Sequence, residues 1–240
     1  MNKDISIWEN RYTVRKFSDQ NRTVKQEDLE YLKQVITHVP TQCGIKQNIW
    51  LYLSDQGKDL EFRKWLLENG YWRENFISNH GNVKEYMLPI YQAPALLLSI
   101  VADDPYIIKN IDKKKDPEDL KDLNYRNEGI YIGVLLSELL HLGYQVGTFG
   151  CLVGFHRGNS EQKAQYFNQY IRENYGEEIE QIEKLQNLTG KLKFFPSVAI
   201  AFGPQGEISK ETKLKKYKNY DYLSFKNTPV KKRTSNIINL

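Results

Sequence analysis

The stretch NEGIYIGVLLSELLHL, residues 127–142, constrains the fold more than any other part of the chain. Wound at helical pitch it is nearly hydrophobic all round, so it predicts a helix that is central and buried instead of lying on a surface. Gly143 stands where a left-handed residue ends such a helix. Three short apolar runs offer strands to pack around it: IWLYL at 49–53, ALLLSIV at 95–101 after Pro94, and FFPSVAIAFG at 194–203, closed by Gly203-Pro204.

Other segments fill in the wrapping. Leu29, Leu32, Val35, Ile36 and Val39 recur at helical spacing and predict an amphipathic helix over 25–38, opened by a capping-box pattern from Thr23 to Gln26 and stopped by Pro40. Helices are expected at 160–175 and 177–188, split by Gly176, with a short one at 4–10 turning Ile5 and Trp8 inward. Residues 59–91 read as helical in pieces, 103–123 as a charged surface loop, and YQVGTFG, 144–150, as the way into a loop. Few, short strands alternating with helices predict an α+β chain with a modest central sheet wrapped by helices. A single domain over 1–240 is expected, with 56–90 and 103–125 as lids or surface excursions.

Charge and cysteine usage narrow the function. The formal net charge is +4 and the pI about 8.8, a mild excess that suits an anionic ligand and disfavours a dedicated nucleic-acid binder. Two cysteines, Cys43 and Cys151, make neither a disulfide framework nor a CxxC pair, which points to a reducing compartment. The start MNKDISIWEN lacks a signal peptide's apolar core, and APALLLSIVA at 93–102 is too short to span a bilayer. The expectation is a soluble cytoplasmic protein with no membrane partner.

Common catalytic signatures are missing. His38, His80, His141 and His156 have no HxxxH or HExxH spacing, so no metal site is expected. No phosphate-binding P-loop is present, the glycines of GYQVGTFGCLVG do not make GxGxxG, and there is no GxSxG elbow. Two basic ends remain: RYTVRKF at 11–17 and KKR at 231–233. In an extended chain Arg11, Thr13 and Arg15 share one face. A solvated strand, a nucleic-acid patch and a pocket for a small anion all fit that face, and guanidinium groups with a hydroxyl suit a phosphate.

The order of these features resembles the nitroreductase family of FMN-dependent oxidoreductases. The carriers are Arg11-Tyr12-Thr13-Val14-Arg15-Lys16-Phe17, the loop PTQCGIKQNIW at 40–50, the strand APALLLSIV, the helix and loop LLHLGYQVGTFGCLVG, the strand PSVAIAFG, and Lys231-Lys232-Arg233. They span nearly the whole chain. The second loop departs, being one residue longer, with Ile45 near the usual Asn and Asn48-Ile49 for Pro-Trp. The resemblance implies a nitroreductase-like α+β fold, a small mostly antiparallel sheet wrapped by helices, in a homodimer with an exchanged arm. It implies that Arg11, Thr13, Lys231 and Arg233 hold the FMN phosphate with Tyr12 beside it, and that Arg15 reaches the ribityl chain and pyrimidine edge. Thr41, Gln42 and Gln47 would line the site, and Gly150 and Cys151 would present backbone N–H groups toward flavin N5 and O4. The activity implied is ping-pong hydride transfer from NADH or NADPH through flavin N5 to a flat acceptor such as a nitroaromatic or quinone. Trp65, Tyr71, Trp72 and Phe76 are candidates to line or cover the substrate face, or to pack a core or dimer contact. The same fold also suits an oxidase or dehydrogenase with its own substrate, or an enzyme that consumes FMN. A basic nucleic-acid-binding or scaffold protein is the remote alternative.

Overall fold

The strand ALLLSIVA, β3 (Ala95–Ala102), has apolar residues on both sides because helices cover both its faces. It pairs antiparallel with β2 (Asn48–Ser54) and β5 (Phe194–Pro204). With β1 (Tyr12–Thr13), β4 (Tyr144–Phe149) and β6 (Thr228–Pro229) these form one sheet in the order β2-β3-β5-β4-β1-β6. All pairings are antiparallel except that of β1 with β4. The computed structural model describes residues 12–14, 17, 22–41, 48–69, 90, 92–102, 117–149, 161–185, 194–204 and 228–229.

Alternation along β3 divides the core in two. Leu96, Leu98 and Ile100 face one layer with Phe62 and Leu66 of α2 (Gly57–Asn69) and Phe167, Ile171 and Ile179 of α4 (Glu161–Leu185). Ala95 and Leu97 face the other, with Leu32 of α1 (Gln26–His38) and Leu135 and Leu139 of α3 (Pro117–His141). The sheet is thus a middle layer between two helical ones.

Several elements differ from expectation, each for a local reason. Helix α1 begins at Gln26, and Thr23 does not cap it; its N-cap, Lys25, makes no side-chain cap. Its backbone N–H instead donates to the Tyr144 hydroxyl at 3.3 Å, and that hydroxyl donates to Asp28 at 2.5 Å. A strand residue thereby does the work of a cap. Residues 117–125, read as loop and surface excursion, are the first turns of α3. Pro117 at the first helical position, followed by Glu118 and Asp119, is a helix start that the run of charges obscured. Within this chain α3 is not buried all round. Glu128, Tyr131, Leu135 and Leu139 are covered, Ile130, Ile132 and Val134 are half-covered, and Gly129 and Gly133 are exposed. Residues 144–149, read as the approach to a loop, are strand β4, set off by Gly143 at φ 82°. Helix α4 does bend near Gly176: Tyr175 has φ −133° and ψ 26°, and its hydroxyl donates to Asp59 at 2.9 Å.

The first half of the 56–90 segment is no excursion, since α2 seats Phe62 and Leu66 in the core. Beside them Arg63 is fully buried. Its guanidinium donates to the carbonyl oxygens of Ser54 at 2.9 Å, Ile90 at 2.7 Å and Ala93 at 2.5 Å. Burial pulls its pKa down to about 10, so it stays a cation at neutral pH. One side chain thus ties the end of β2 and the approach to β3 onto α2. Arg63→Met should lower the unfolding free energy by about 3 kcal/mol, because buried carbonyls lose their donor. Urea unfolding checks this; Arg63→Lys should recover part of the loss.

Candidate active site

The residues of RYTVRKF that the structure describes belong to the sheet or to the core packed on it. Val14 and Phe17 are the apolar members, and both are buried in the α2/α4 layer. They anchor the segment, and β1 is held from both sides. On one side it runs parallel to β4, with Thr13 opposite Val146, and the Val14 N–H donates to the Val146 carbonyl at 3.1 Å. On the other it pairs antiparallel with β6, Tyr12 opposite Pro229 and Thr13 opposite Thr228. Pro229, which has no N–H, sits on the outermost strand, where a missing donor is tolerated.

The contact of β1 with β4 depends on Gly147. A Cβ there would meet the Val14 carbonyl oxygen, well inside van der Waals contact. Only a residue without a side chain lets the two backbones pair. Gly147 was legible in the sequence as a glycine with no motif to explain it; Val14 and Phe17 were legible as the apolar positions between the cations.

Of the candidate residues, Tyr12 and Thr13 form β1, and Thr41 is half-buried two residues after the C-cap of α1. Trp65 is half-buried on α2, stacked on Phe62 at 6.1 Å and Tyr170 at 5.8 Å between ring centroids. Arg11, Arg15, Gln42, Gln47, Tyr71, Trp72, Phe76, Gly150, Cys151, Lys231 and Arg233 lie outside the described residues. The structure therefore brings together the strand between Arg11 and Arg15 and the strand two residues before Lys231. It separates both from the start of β2, which follows Gln47. Three strands intervene, so β1 and β2 are four strand spacings apart, roughly 19 Å.

No family model and no curated protein matches the chain. Solved structures do. A nitroreductase A from Vibrio parahaemolyticus is similar with a TM-score of 0.53 and 16% identity, over 93% of this chain and 80% of that one. A Bacteroides fragilis nitroreductase with bound FMN is similar with a TM-score of 0.54 and 12% identity, over 91% and 96%. The NADPH:FMN oxidoreductase of Vibrio harveyi, complexed with NAD+, is similar with a TM-score of 0.51 and 14% identity, over 90% and 76%. The chain has the nitroreductase-like α+β fold. Among the described residues, no helix is long and apolar enough to cross a membrane.

Gly147→Ala should push β1 off β4. The Val14 amide should lose protection in hydrogen exchange, and stability should fall by about 1–3 kcal/mol, the usual cost of forcing extra volume into packed structure.

Proposed function

We propose that this chain is an FMN-dependent oxidoreductase of the nitroreductase kind, drawing on NADH or NADPH and acting as a homodimer in the cytoplasm. The observation that carries the reading is the pairing of β1 with β6. It joins the flanks of two basic segments more than two hundred residues apart in sequence, one holding Arg11 and Arg15, the other Lys231 and Arg233. That donor set fits a phosphate monoester: two or more guanidinium groups, an ammonium and the Thr13 hydroxyl offer charge-assisted bonds to its oxygens.

Arg11, Thr13, Lys231 and Arg233 would hold the FMN phosphate, with Tyr12 packed beside it. Arg15, two residues beyond Thr13, would set a fixed cation at the pyrimidine edge, where reduction concentrates negative charge. β1 and β4 run the same way; Arg15 is the second residue after β1, and Gly150-Cys151 follow β4 directly. The backbone N–H groups of those last two would face N5 and O4. When bound, FMN supplies hydride exchange at N5 between a nicotinamide and a flat acceptor such as a nitroaromatic or quinone. The protein's part is to bind, orient and admit, so no acid–base dyad is needed.

Two observations support a second copy. Thr41, Gln42 and Gln47 precede β2, on the flank of the sheet opposite β1, so the loop that would line the flavin is well placed to serve another subunit's site. Helix α3 is apolar on the side turned away from its own core, where Ile130 and Val134 are only half-covered. A twin helix or an exchanged arm would bury that side. Tyr71, Trp72 and Phe76 would cover the open flavin face, at the edge of the stack that Trp65 enters.

The purified protein should be yellow, with flavin absorbance near about 450 nm, and should release FMN on denaturation. Arg11→Ala and Arg233→Ala should each weaken FMN binding by about 1–3 kcal/mol, as for a lost charge-assisted hydrogen bond. Unchanged flavin content in both would remove the assignment. Initial-rate plots with NADH or NADPH against a quinone should give parallel lines; intersecting lines would rule out ping-pong order.

A further inference from the structure

The α3 side of the sheet carries a buried polar cluster that none of the above uses. Glu128 is only 4% exposed, and it reaches into an irregularity in the β3–β5 ladder. Leu98 pairs with Ala199 and Ile100 with Pro196, so Ser99 alone faces both Ser197 and Val198. At that bulge the Ser99 hydroxyl donates to one Glu128 oxygen at 2.5 Å and the Ser197 hydroxyl donates to the other at 2.7 Å. The Asn48 side-chain amide donates to Ser99 Oγ at 3.4 Å. Both serines are fully buried, and Asn48 is 7% exposed. Asn48 is the first residue of β2, next in sequence to Gln47.

We propose that Glu128, acting through Ser99 and Asn48, is a positioning residue for the start of β2, and so for a flavin that the residues before β2 would contact. The second half of this statement rests on the flavin reading; the first does not. A carboxyl in an apolar layer is a poor choice for packing alone, since hydrophobic side chains of the same size usually serve stability as well or better. Its geometric effect is specific. One group on α3 fixes two strands where their ladder is interrupted, and a third strand at its first residue. Among the described residues, Asn48 Oδ1 and Trp50 Nε1, two positions apart on β2, are buried and find no partner. The strand start is therefore polar and buried, and it is tied down through Asn48 Nδ2.

Protonation of Glu128 would be felt at Asn48. A neutral acid can donate from Oε1 to Ser99 Oγ; Ser99 then turns its own hydrogen toward the Asn48 amide, which must present Oδ1 in place of Nδ2. Burial raises the Glu128 pKa, and the two serine bonds only partly oppose this. Among the described residues, burial and the two serines are what act on it. It is bonded to Ser99 of β3 and Ser197 of β5, Asn48 of β2 is bonded to Ser99, Tyr131 lies three residues along its own helix, and Tyr52 of β2 faces the same layer. From α1 and β4, Asp28 is bonded to Tyr144, and Tyr31 to Glu138, ten residues further along α3. The sign follows. A raised acid pKa gives stability that is present below the ordinary carboxylate range and is lost as pH rises through the folded-state value.

Three proteins test this: wild type, Glu128→Gln, which keeps the shape and cannot ionise, and Glu128→Leu. FMN affinity is titrated by flavin fluorescence from the ordinary carboxylate range, about pH 4, up to about pH 9, with amide protection at Asn48, Ile49 and Trp50 measured on flavin-free protein. Wild-type affinity and β2 protection should both decline as pH rises, and both should stay flat in Glu128→Gln. Glu128→Leu should bind FMN about tenfold more weakly at every pH, the equivalent of one lost hydrogen bond. Wild-type and Glu128→Gln profiles that coincide overturn the proposal, as does wild-type affinity in Glu128→Leu. If Glu128→Leu does not fold, the wild-type and Gln comparison decides. Failure of the wild type to bind FMN would sink the flavin reading alone. The β2 amides would then decide the positioning role, and equal protection in wild type and Glu128→Gln would overturn it.

Discussion

The hydrogen bond from the Val14 N–H to the Val146 carbonyl, across the bare Cα of Gly147, is the contact on which the candidate site depends. β4 is the last strand before the flank built from β1 and β6, which lie far apart in sequence. If β1 could not approach it, β6 would have nothing to pair with. Val14 and Phe17 give the approach its driving force by burial; Gly147 supplies only room. The segment RYTVRKF therefore combines two patterns, an apolar one that seats it in the core and a cationic one interleaved with it.

Much of the fold was legible in the sequence. The long apolar runs became β3 and β5 almost residue for residue, and the periodicity from Leu29 to Val39 became α1, because burial on a sheet or against one is what such patterns encode. What could not be read came from contacts distant in sequence. The cap of α1 is a tyrosine more than a hundred residues away, so no local signal announced it. Charges at 112–121 hid the start of α3, where proline and two acids were the better guide. β4 was missed because its glycine at 147, a weak strand former, is there for its neighbour's backbone. For the candidate site, the sequence supplied two basic segments and the fold supplied the pairing of β1 with β6, the strands beside them; the strand order between these and β2 had no sequence signature.

Two buried polar groups show opposite uses of the same physics. Arg63 keeps its charge because three carbonyl dipoles face it, and it joins the end of β2 to the approach to β3. Among the described residues Glu128 is bonded to hydroxyls, which only partly offset burial's effect against its charge. The first behaves as a permanent fastening, while the second remains open to titration.

The position of β1 in the sheet also bears on how the molecule is made. Thr13 is made long before either of its partners, Val146 and Thr228. Loop closure over such separations is entropically slow, and the second partner follows the first by a further long stretch of chain. Among the described strands, the earliest made is thus the last to be enclosed on both sides. A nascent chain can complete β2, β3, β4 and β5 and still lack the flank where β1 meets β6, so that flank forms in one late step instead of growing as the chain lengthens.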